Sequence, residues 1–503
     1  MSEVDPYPAP TSLQPRQIVV PPVPPWDRSD VPAMPDVVYE IPAMLGREER
    51  RYLAWLTATQ YEGFGAIVDL GCWLGGSSCA LAEGLKRAGR SERIHSFDLF
   101  QWEPDYMEKD APLGQPVGWN FMPEFERRTA TYRAWIEPHK VDLTSFTWTG
   151  GPIELLFVDA AKSWRLTNSI LAAFGPWLVP GRSRVIFQDY RYYDCYFLLP
   201  IVESRPDVWR ETEAVGEGTT VTFVPLRDLG GAGGLPTRYG PESFRFAGVE
   251  HIVRRRLVHE NAANRHRLLR VLMCWAKLDG KPTDRERVAA ELFADTGLPM
   301  TAAERHWFED PASLCVQEGW NTWREHEFAA ADRFVTRALD RVPTDIEALL
   351  LKIMIDRDLH GIEGAADALV RAEQVAPRDP RVVLWRLTLR ATRHEIDGVG
   401  DQLLAMLHAG VPDGLQSWAI DLLHSVLQPT NDIAAMIGLG RSLLPRYANS
   451  AVLHARLAQG YACIDDQESS RNHIARALEL EPGNTTVLQV KAALDKAGDP
   501  GHP

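Results

Sequence analysis

Glycine and acidic residues follow short apolar runs in the first half of the chain, a pattern that can build a ligand-binding edge. The clearest segment is VDLGCWLGGS at 68–77, where an apolar run ends in Asp69 and a turn with Gly71 and Gly75 leads to Ser77. Glycine is favoured where the backbone takes a positive φ or must approach a ligand closely. The spacing Gly-x-x-x-Gly-Gly differs from the Gly-x-Gly-x-x-Gly of dinucleotide-binding folds, so it disfavours an NAD-dependent oxidoreductase.

Two further acidic residues follow the next apolar runs. The segment IHSFD at 94–98 ends in Asp98. A carboxylate at the end of the second strand of an α/β fold can accept hydrogen bonds from both hydroxyls of a ribose. The segment HKVDL at 139–143 places Asp142 after a predicted third strand. Aspartate at a strand end is also a common turn residue, so both roles stay open for Asp142.

A second group of charged residues carries the candidate reaction chemistry. The segment LLFVDAAKSW contains Asp159 and Lys162, and VIFQDY contains Asp189. Both carboxylates should emerge at the carboxyl edge of a parallel sheet, where open α/β folds bind their ligands. Two carboxylates there can hold a hard cation such as Mg²⁺, which lowers the pKa of a bound hydroxyl. The alternative is that Asp159 anchors its loop and that Lys162 is only its salt-bridge partner.

Strand-like and helix-like segments alternate around these residues and must position them. Such alternation predicts βαβ units and a Rossmann-like α/β domain with a mostly parallel sheet. The predicted strands are residues 66–70, 93–97, 154–158 and 184–187, with 219–225 as one arm of a late hairpin. The predicted helices are residues 77–88 and 163–174.

Over about residues 40–228 the sequence resembles the class I S-adenosylmethionine-dependent methyltransferases, because the glycine turn and the acidic residues follow in the same order. The residues that this resemblance assigns to S-adenosyl-L-methionine are Asp69, Gly71, Gly75, Ser77, Asp98 and Asp142. It implies that the first three line the methionine end, that Asp98 binds the ribose and that Asp142 lies beside the adenine. Ser77 is expected to cap the following helix and to contact the cofactor carboxylate.

The segments around Asp159 and Asp189 resemble the metal-dependent O-methyltransferases of the catechol, caffeoyl-CoA and macrocin types. That resemblance implies that both aspartates bind a divalent cation such as Mg²⁺ and that Lys162 approaches the acceptor hydroxyl as a base. The sequence departs from the pattern at two places. Ala161 stands where the caffeoyl-CoA group has a second acid, and Tyr190 stands where a third ligand usually follows.

Two groups of aromatic residues accompany the predicted edge. A long irregular stretch after the second strand, of the kind that often acts as a lid, contains Trp102, Tyr106, Trp119 and Phe121. A second group follows the last acidic residue and consists of Tyr190, Tyr192, Tyr193, Tyr196 and Phe197. The second group either walls an acceptor pocket or belongs to an ordinary core.

The predicted methyltransferase domain, residues 37–228, lies between segments of different composition. Residues 1–36 are dense in proline and are predicted to be disordered. Glycines predict a linker at 229–243, and residues 244–319 form a helical connecting region. In that region the run from Arg254 to Arg256 is either an anion-binding patch or a solvated helix face.

A repeat begins near residue 320 and is predicted to extend to residue 500. Prolines close successive helical segments at intervals of 34, 35, 33 and 37 residues, at Pro343, Pro377, Pro412, Pro445 and Pro482. A period of about 34 residues resembles the tetratricopeptide repeat and predicts paired helices. A generic helical bundle is the alternative.

The overall composition narrows the class of function. The formal net charge of −14 argues against binding of bulk nucleic acid. The start of the chain does not resemble a secretory signal, and no run reaches the roughly 20 apolar residues that a membrane span requires. The six cysteines are scattered, without a CxxC pair, which is typical of a reducing compartment. We therefore expect a soluble cytoplasmic protein.

Together these features predict an S-adenosylmethionine-dependent methyltransferase. If a cation is bound, it would transfer the methyl group to an oxygen atom of the acceptor. The acceptor would be a small molecule, a glycan or a carrier-bound molecule. The repeats would bind a protein partner. The alternative is an interaction scaffold in which the repeats do the work and the Rossmann-like domain is catalytically inactive.

Overall fold

The computed structural model describes residues 24–29, 31–216, 218–230, 235, 238–428 and 432–497. Contacts divide the chain into two compact units, Met1–Asp310 and Pro311–Pro503. The first contains a seven-stranded sheet and helices, and the described part of the second contains helices alone. This confirms the predicted fold class, an α/β domain followed by an all-α region. Among the described helices, none has the length and apolar character that a membrane crossing requires.

Seven strands form one mixed sheet in the first unit. They are β1 Ala66–Leu70, β2 Ile94–Asp98, β3 Ile136–Lys140, β4 Ile153–Val158, β5 Arg184–Phe187, β6 Trp209–Ala214 and β7 Val221–Pro225. Their order is β3-β2-β1-β4-β5-β7-β6, with the first five parallel and β7 antiparallel to both of its neighbours. The strand order reverses between β1 and β4, which is where open α/β sheets bind their ligands.

Eleven helices accompany the sheet in the described part of the first unit. They are α1 Asp36–Glu40, α2 Arg47–Thr59, α3 Gly76–Arg87, α4 Pro104–Met107, α5 Met122–Arg128, α6 Trp164–Phe174, α7 Leu198–Glu203, α8 Phe246–Leu257, α9 Ala262–Asp279, α10 Pro282–Ala294 and α11 Ala302–Glu309. Helices α2 and α3 pack closely because Gly84 has no side chain. A Cβ there would lie 2.0 Å from Oγ1 of Thr57 and 2.2 Å from the carbonyl oxygen of Ala54.

The end of the proline-rich segment packs against α2. Trp26 is buried, lies edge-on to Tyr52 at 4.7 Å between ring centroids, and donates a hydrogen bond from Nε1 to Glu48 at 3.2 Å. The predicted disorder for 1–36 therefore differs from the structure over the described residues of 24–36, because one large aromatic side chain finds a buried place. Residues 1–23 lie outside the described residues.

Helices α8 and α9 share a core with the sheet domain, beyond the predicted domain end at 228 and the predicted linker at 229–243. Trp275 of α9 is fully buried and donates from Nε1 to the carbonyl oxygen of Tyr196 at 3.0 Å. Its ring lies edge-on to Trp164 of α6 at 6.3 Å. The boundary therefore falls at Asp310, within the predicted connecting region.

The arginine run on α8 faces glutamates rather than a ligand. Arg256 is only 10% exposed and pairs with Glu203 and with Glu211, the latter at 2.7 Å. Arg254 and Arg255 also pair with glutamates. Arg256 is thus neither part of an anion-binding patch nor on a solvated face, because its charge is neutralised inside the first unit.

Eleven helices make up the described part of the second unit. They are α12 Ser313–Arg324, α13 Phe328–Arg341, α14 Ile346–His360, α15 Ala366–Val375, α16 Pro380–Thr392, α17 Val399–Ala409, α18 Asp413–Leu427, α19 Ile433–Tyr447, α20 Ala451–Cys463, α21 Gln467–Leu480 and α22 Thr485–Ala497. Consecutive helices pair, most closely α12 with α13 and α20 with α21. The helices begin at Ser313, seven residues before the predicted start of the repeats.

Four of the five regularly spaced prolines lie between consecutive helices. Pro343, Pro377 and Pro482 follow helices, and Pro412 immediately precedes α18. Pro445 lies inside the last turn of α19, so the prediction that it closes a segment is wrong in detail. Proline has no backbone N–H and its ring clashes with the carbonyl four residues back, so Pro445 removes a helix hydrogen bond, and α19 ends two residues after it.

Candidate active site

A cavity of about 150 Å³ opens at the carboxyl edge of the sheet, beside the ends of β1, β2 and β4. The residues that line it are Ala43, Met44, Leu45, Gly71, Cys72, Trp73, Gly76, Ser77, Asp98, Tyr106, Met107, Asp159 and Lys162. Five of the predicted site residues therefore meet here. The other four, Asp69, Gly75, Asp142 and Asp189, do not line the cavity.

The glycine turn after β1 is shaped by its own packing. Gly71 has φ +84°, and a Cβ there would lie 2.9 Å from the carbonyl carbon of Asp159. Gly75 has φ +98°, and a Cβ there would lie 2.3 Å from Cγ2 of Thr129. Both positions are in the left-handed region, which favours glycine. These two glycines allow the turn to pass under the end of β4 and against Thr129, and of the two Gly71 alone lines the cavity.

Asp69 lies behind the cavity wall and holds the first turn of α3. It is fully buried, and its Oδ2 accepts hydrogen bonds from the hydroxyls of Ser77 at 2.9 Å and Ser78 at 2.6 Å. Burial raises the pKa of Asp69 to about 6, although the two hydroxyls oppose the shift. Its Oδ1 is buried without a hydrogen-bond partner among the described residues.

The predicted capping role of Ser77 is wrong. Gly75 occupies the N-cap position of α3, and no side chain caps the helix there. Ser77 lies inside the first turn, and its hydroxyl is engaged by Asp69. The side chain still reaches the cavity wall, so contact with a ligand is compatible with its position.

Asp98 lines the cavity and orders the backbone around it. Its Oδ2 accepts from the backbone N–H of Trp73 at 3.0 Å, and its Oδ1 accepts from that of Phe100 at 2.8 Å. Burial raises its pKa, and these backbone hydrogen bonds oppose the rise. Each carboxylate oxygen can accept a second hydrogen bond, so Asp98 can still receive hydroxyl groups of a ligand.

Asp142 does not line the cavity. The residue is exposed two positions after β3, and its Oδ1 accepts from the backbone N–H of Thr144 at 2.8 Å. This is the aspartate turn that the sequence left open as the alternative. The carboxylate of Asp142 closes a turn on the surface, which favours this alternative, and the contact with the adenine stays a prediction.

Lys162 lies between the two aspartates that were predicted to bind a cation. Its Nζ is 2.7 Å from Oδ1 of Asp159 and also contacts Oδ2 of Asp189. Desolvation lowers the pKa of Lys162, but the two carboxylates raise it more, so that it lies well above its ordinary value. The pKa of Asp159 is raised by burial, against the opposing effect of Lys162. The raised pKa favours the protonated form of Lys162 at neutral pH, which argues against the role as a base that the resemblance implied.

A divalent cation does not fit this arrangement. The ammonium group of Lys162 already contacts both carboxylates, and a cation would have to displace it. Within the part of the chain that the structure describes, no third His, Cys, Asp or Glu joins Asp159 and Asp189 to form a ligand set. Two carboxylates are few for Mg²⁺, which prefers six oxygen ligands.

Several residues on the cavity wall had no predicted role. The segment Ala43–Leu45, between α1 and α2, contributes three of them, and its sequence carried no signal for a ligand site. Tyr106 and Met107 come from the insertion that was predicted to act as a lid. The insertion is anchored at its base, where Trp102 is fully buried and stacks on Trp73 at 6.4 Å.

The aromatic group after Asp189 belongs mainly to the core. Tyr190, Tyr196 and Phe197 are almost fully buried, whereas Tyr192 is 38% exposed. The hydroxyl of Tyr190 donates to Glu203 at 3.0 Å. The cavity wall contains none of these residues, so they do not form an acceptor pocket beside it.

The sequence from Val68 in β1 to Tyr190 matches one protein-family model. Residues 68–190 match the model described as "Methyltransferase domain". This part of the chain is a methyltransferase domain. The methyltransferase family implies S-adenosyl-L-methionine as the methyl donor, and so the enzyme class is that of the S-adenosylmethionine-dependent methyltransferases.

Other comparisons concern the helical part of the chain. No curated protein matches the chain. The chain is similar to the solved structure of PilF of Pseudomonas aeruginosa at 15% identity, covering 37% of this chain and 83% of PilF with a TM-score of 0.31. It is also similar to the TPR protein YrrB at 12% identity, covering 36% and 92% with a TM-score of 0.26, and to yeast Tom70 at 12% identity, covering 50% and 53% with a TM-score of 0.31. Because these TM-scores are low, the evidence for the helical-repeat architecture is the pairing of consecutive helices in the second unit.

The methyltransferase cavity fits part of S-adenosyl-L-methionine. The unpartnered, buried Oδ1 of Asp69 and the glycine turn suit a positively charged amino-acid end nearby. Asp98 suits hydroxyl groups, which the ribose provides. The cavity volume of about 150 Å³ is below the roughly 300 Å³ at which pockets for ligands of this size begin. The cavity therefore holds only part of the cofactor.

Proposed function

We propose that the first unit binds S-adenosyl-L-methionine in this cavity and transfers its methyl group to a hydroxyl of a small-molecule, glycan or carrier-bound acceptor. One observation carries the proposal: Gly71, Ser77 and Asp98 meet Asp159 and Lys162 on a single cavity wall at the switch point of the sheet. Groups suited to the cofactor thus adjoin groups suited to proton transfer. This is the arrangement that methyl transfer to oxygen requires.

Asp159, Lys162 and Asp189 have separate roles in the proposed reaction. When bound, the cofactor supplies an electrophilic methyl group. Asp159, whose pKa is raised, accepts the proton of the acceptor hydroxyl as the oxygen attacks. Lys162 stays protonated, stabilises the negative charge that develops on that oxygen, and is positioned by Asp189. The side chain of Lys162 is 41% exposed, so it is accessible to an acceptor.

In the second unit we propose a binding surface for a protein partner. A groove of about 590 Å³ is lined by Trp320, Trp385 and Trp418, among other residues. The rings of Trp385 and Trp418 meet edge-to-face at 4.9 Å. Arg357 in the lining is paired with Asp358 at 2.7 Å, so the groove favours apolar side chains over a charged ligand.

A scaffold with an inactive first unit is the second candidate. It is favoured because the volume of the cavity is small compared with that of the groove in the second unit. Isothermal titration of the full chain with S-adenosylmethionine, S-adenosylhomocysteine and NAD separates the two. We expect micromolar binding of the two adenosyl ligands, no binding of NAD, and affinities that Mg²⁺ leaves unchanged. If neither adenosyl ligand binds, the proposal is wrong, and the scaffold with an inactive first unit remains as the candidate function.

A further inference from the structure

A second cluster of ligand-type side chains lies on the outer strands of the sheet, apart from the cavity. His95 of β2 is in register with Glu137 of β3, and His139 follows Glu137 by two residues. Side chains two apart on a strand point to the same face, so all three share one face of the sheet. None of them lines the cavity described above.

The three side chains already have nearly the spacing of a metal site. Nδ1 of His95 is 3.1 Å from Nε2 of His139, which is 3.8 Å from Oε1 of Glu137. In a tetrahedral zinc site with bonds of about 2.0–2.1 Å, neighbouring ligand atoms are separated by about 3.3 Å. Both spacings lie within about 0.5 Å of that value. Within the described residues, this is the one group of three or more such side chains with ligand atoms close enough to share an ion.

Packing holds the two imidazole rings in place. His139 stacks on Phe97 at 4.5 Å between centroids, and His95 meets the edge of Trp148 at 5.3 Å. Rings held in this way lose little conformational freedom when they bind an ion. Oε2 of Glu137 is 3.6 Å from Nη1 of Arg93. The other carboxylate oxygen, Oε1, faces His139, so Glu137 can contact Arg93 and a shared ion at the same time.

We propose that His95, Glu137 and His139 bind a divalent transition-metal ion of the zinc type, with the fourth coordination position open to water. Two imidazoles and a carboxylate are a ligand set that zinc accepts, and three protein ligands leave one position free. The ion replaces the hydrogen bond between the two rings. It ties β3, the strand at the edge of the sheet, to β2.

The chain also contains a matched pair of histidines without a carboxylate. Nδ1 of His454 is 2.8 Å from Nδ1 of His473, and Nε2 of His454 donates to the carbonyl oxygen of Ala448 at 3.0 Å. This pair has no third ligand among the described residues. It therefore controls for zinc binding by two adjacent histidines alone.

The test is calorimetric titration of the chelator-treated, dialysed full chain with zinc chloride at pH 7.5. We expect one equivalent to bind with a micromolar or lower dissociation constant and to raise the melting temperature. His139→Ala and Glu137→Gln should each weaken this binding tenfold or more, whereas His473→Ala should leave it unchanged. Glu137→Gln preserves shape at a side chain that is 38% exposed, so its fold is preserved even if His139→Ala is unstable.

Equal zinc affinity in the wild type and Glu137→Gln would overturn the proposal, as would loss of binding in His473→Ala. Circular dichroism and melting of each variant without zinc show whether it is folded. Because the measured quantity is zinc binding, the outcome does not depend on methyltransferase activity.

Discussion

Asp98 and Asp142 are two acidic residues that were both predicted to contact the cofactor, Asp98 at the ribose and Asp142 at the adenine, and their surroundings differ. Asp98 lines the cavity and binds the backbone of Trp73 and Phe100, whereas Asp142 closes an exposed turn. Alanine at Asp98 should therefore weaken S-adenosylmethionine binding tenfold or more, since it removes the acceptor for hydroxyl groups and loosens the wall. Alanine at Asp142, with the same change of charge, should leave the affinity unchanged. Titration calorimetry measures both, and equal affinities would contradict the assignment.

Asp69 should make the stability of the first unit depend on pH in an unusual direction. Its pKa in the folded state is about 6, above its ordinary value of 3.8, because of burial. The folded state then binds the proton more tightly than the unfolded state. The free energy of unfolding from this residue thus increases as the pH falls through 6, and levels off below the unfolded pKa.

The substitution Asp69→Asn isolates this effect. The amide oxygen can still accept from Ser77 and Ser78, but the ionisation is gone. Between pH 7 and pH 5 the wild type should gain about 1 kcal/mol of stability that the variant does not. Urea denaturation at the two pH values measures this difference. The same pH dependence in both proteins would show that Asp69 does not titrate in this range.

At the scale of elements, the insertion between β2 and α5 joins a buried base to a more exposed tip. Its base is held by backbone hydrogen bonds between Trp102 and the segment 118–119, at 2.8 and 2.9 Å. Its tip contains α4, from which Tyr106 and Met107 cover the cavity. Tyr106 is 47% exposed, so outward movement would break few buried contacts.

Cofactor binding should change the exchange of backbone hydrogens in this insertion. Since the cavity is smaller than the cofactor, we expect the tip to open for entry and to close over the bound molecule. Hydrogen–deuterium exchange by mass spectrometry should show slower exchange at residues 103–115 with S-adenosylmethionine, and little change at 118–121. Unaltered exchange at the tip under saturation would mean that the insertion is not a lid.

At the scale of the whole molecule, the first unit extends well past its last strand. Trp275 of α9 is buried against Trp164 and Tyr196, and Arg191 pairs with Glu260 at 2.9 Å. Truncation of a buried tryptophan typically costs about 3–5 kcal/mol, a large part of the stability of a domain. Removal of the helices beyond β7 would therefore expose a core.

Two truncated chains distinguish this boundary from the predicted one. A chain ending at residue 310 should fold and bind S-adenosylmethionine with the affinity of the full chain. A chain ending at residue 235, in the predicted linker, should aggregate or melt without cooperativity. Circular dichroism melting and calorimetry make the comparison. A cooperative melt and full affinity for the shorter chain would place the boundary back at the linker.

Features that depend on neighbouring residues could be predicted from the sequence. The apolar runs that become β1, β4 and β5, the glycine turn at 71–75, and the order of acidic residues along the sheet were all predicted. The reason is that side-chain periodicity and turn chemistry act over a few residues. The helical period of the second half was predicted for the same reason, apart from Pro445, which lies within a helix turn.

Which of these residues meet depends on packing between distant segments, and it became clear from the fold. The sequence did not reveal that Lys162 lies between Asp159 and Asp189, that Ala43–Leu45 forms part of the cavity wall, or that Asp142 turns to the surface. Nor did it reveal that Trp26 and Trp275 complete the core of the first unit. These facts depend on contacts between segments far apart in the chain, where the burial of particular side chains outweighs local propensity and composition.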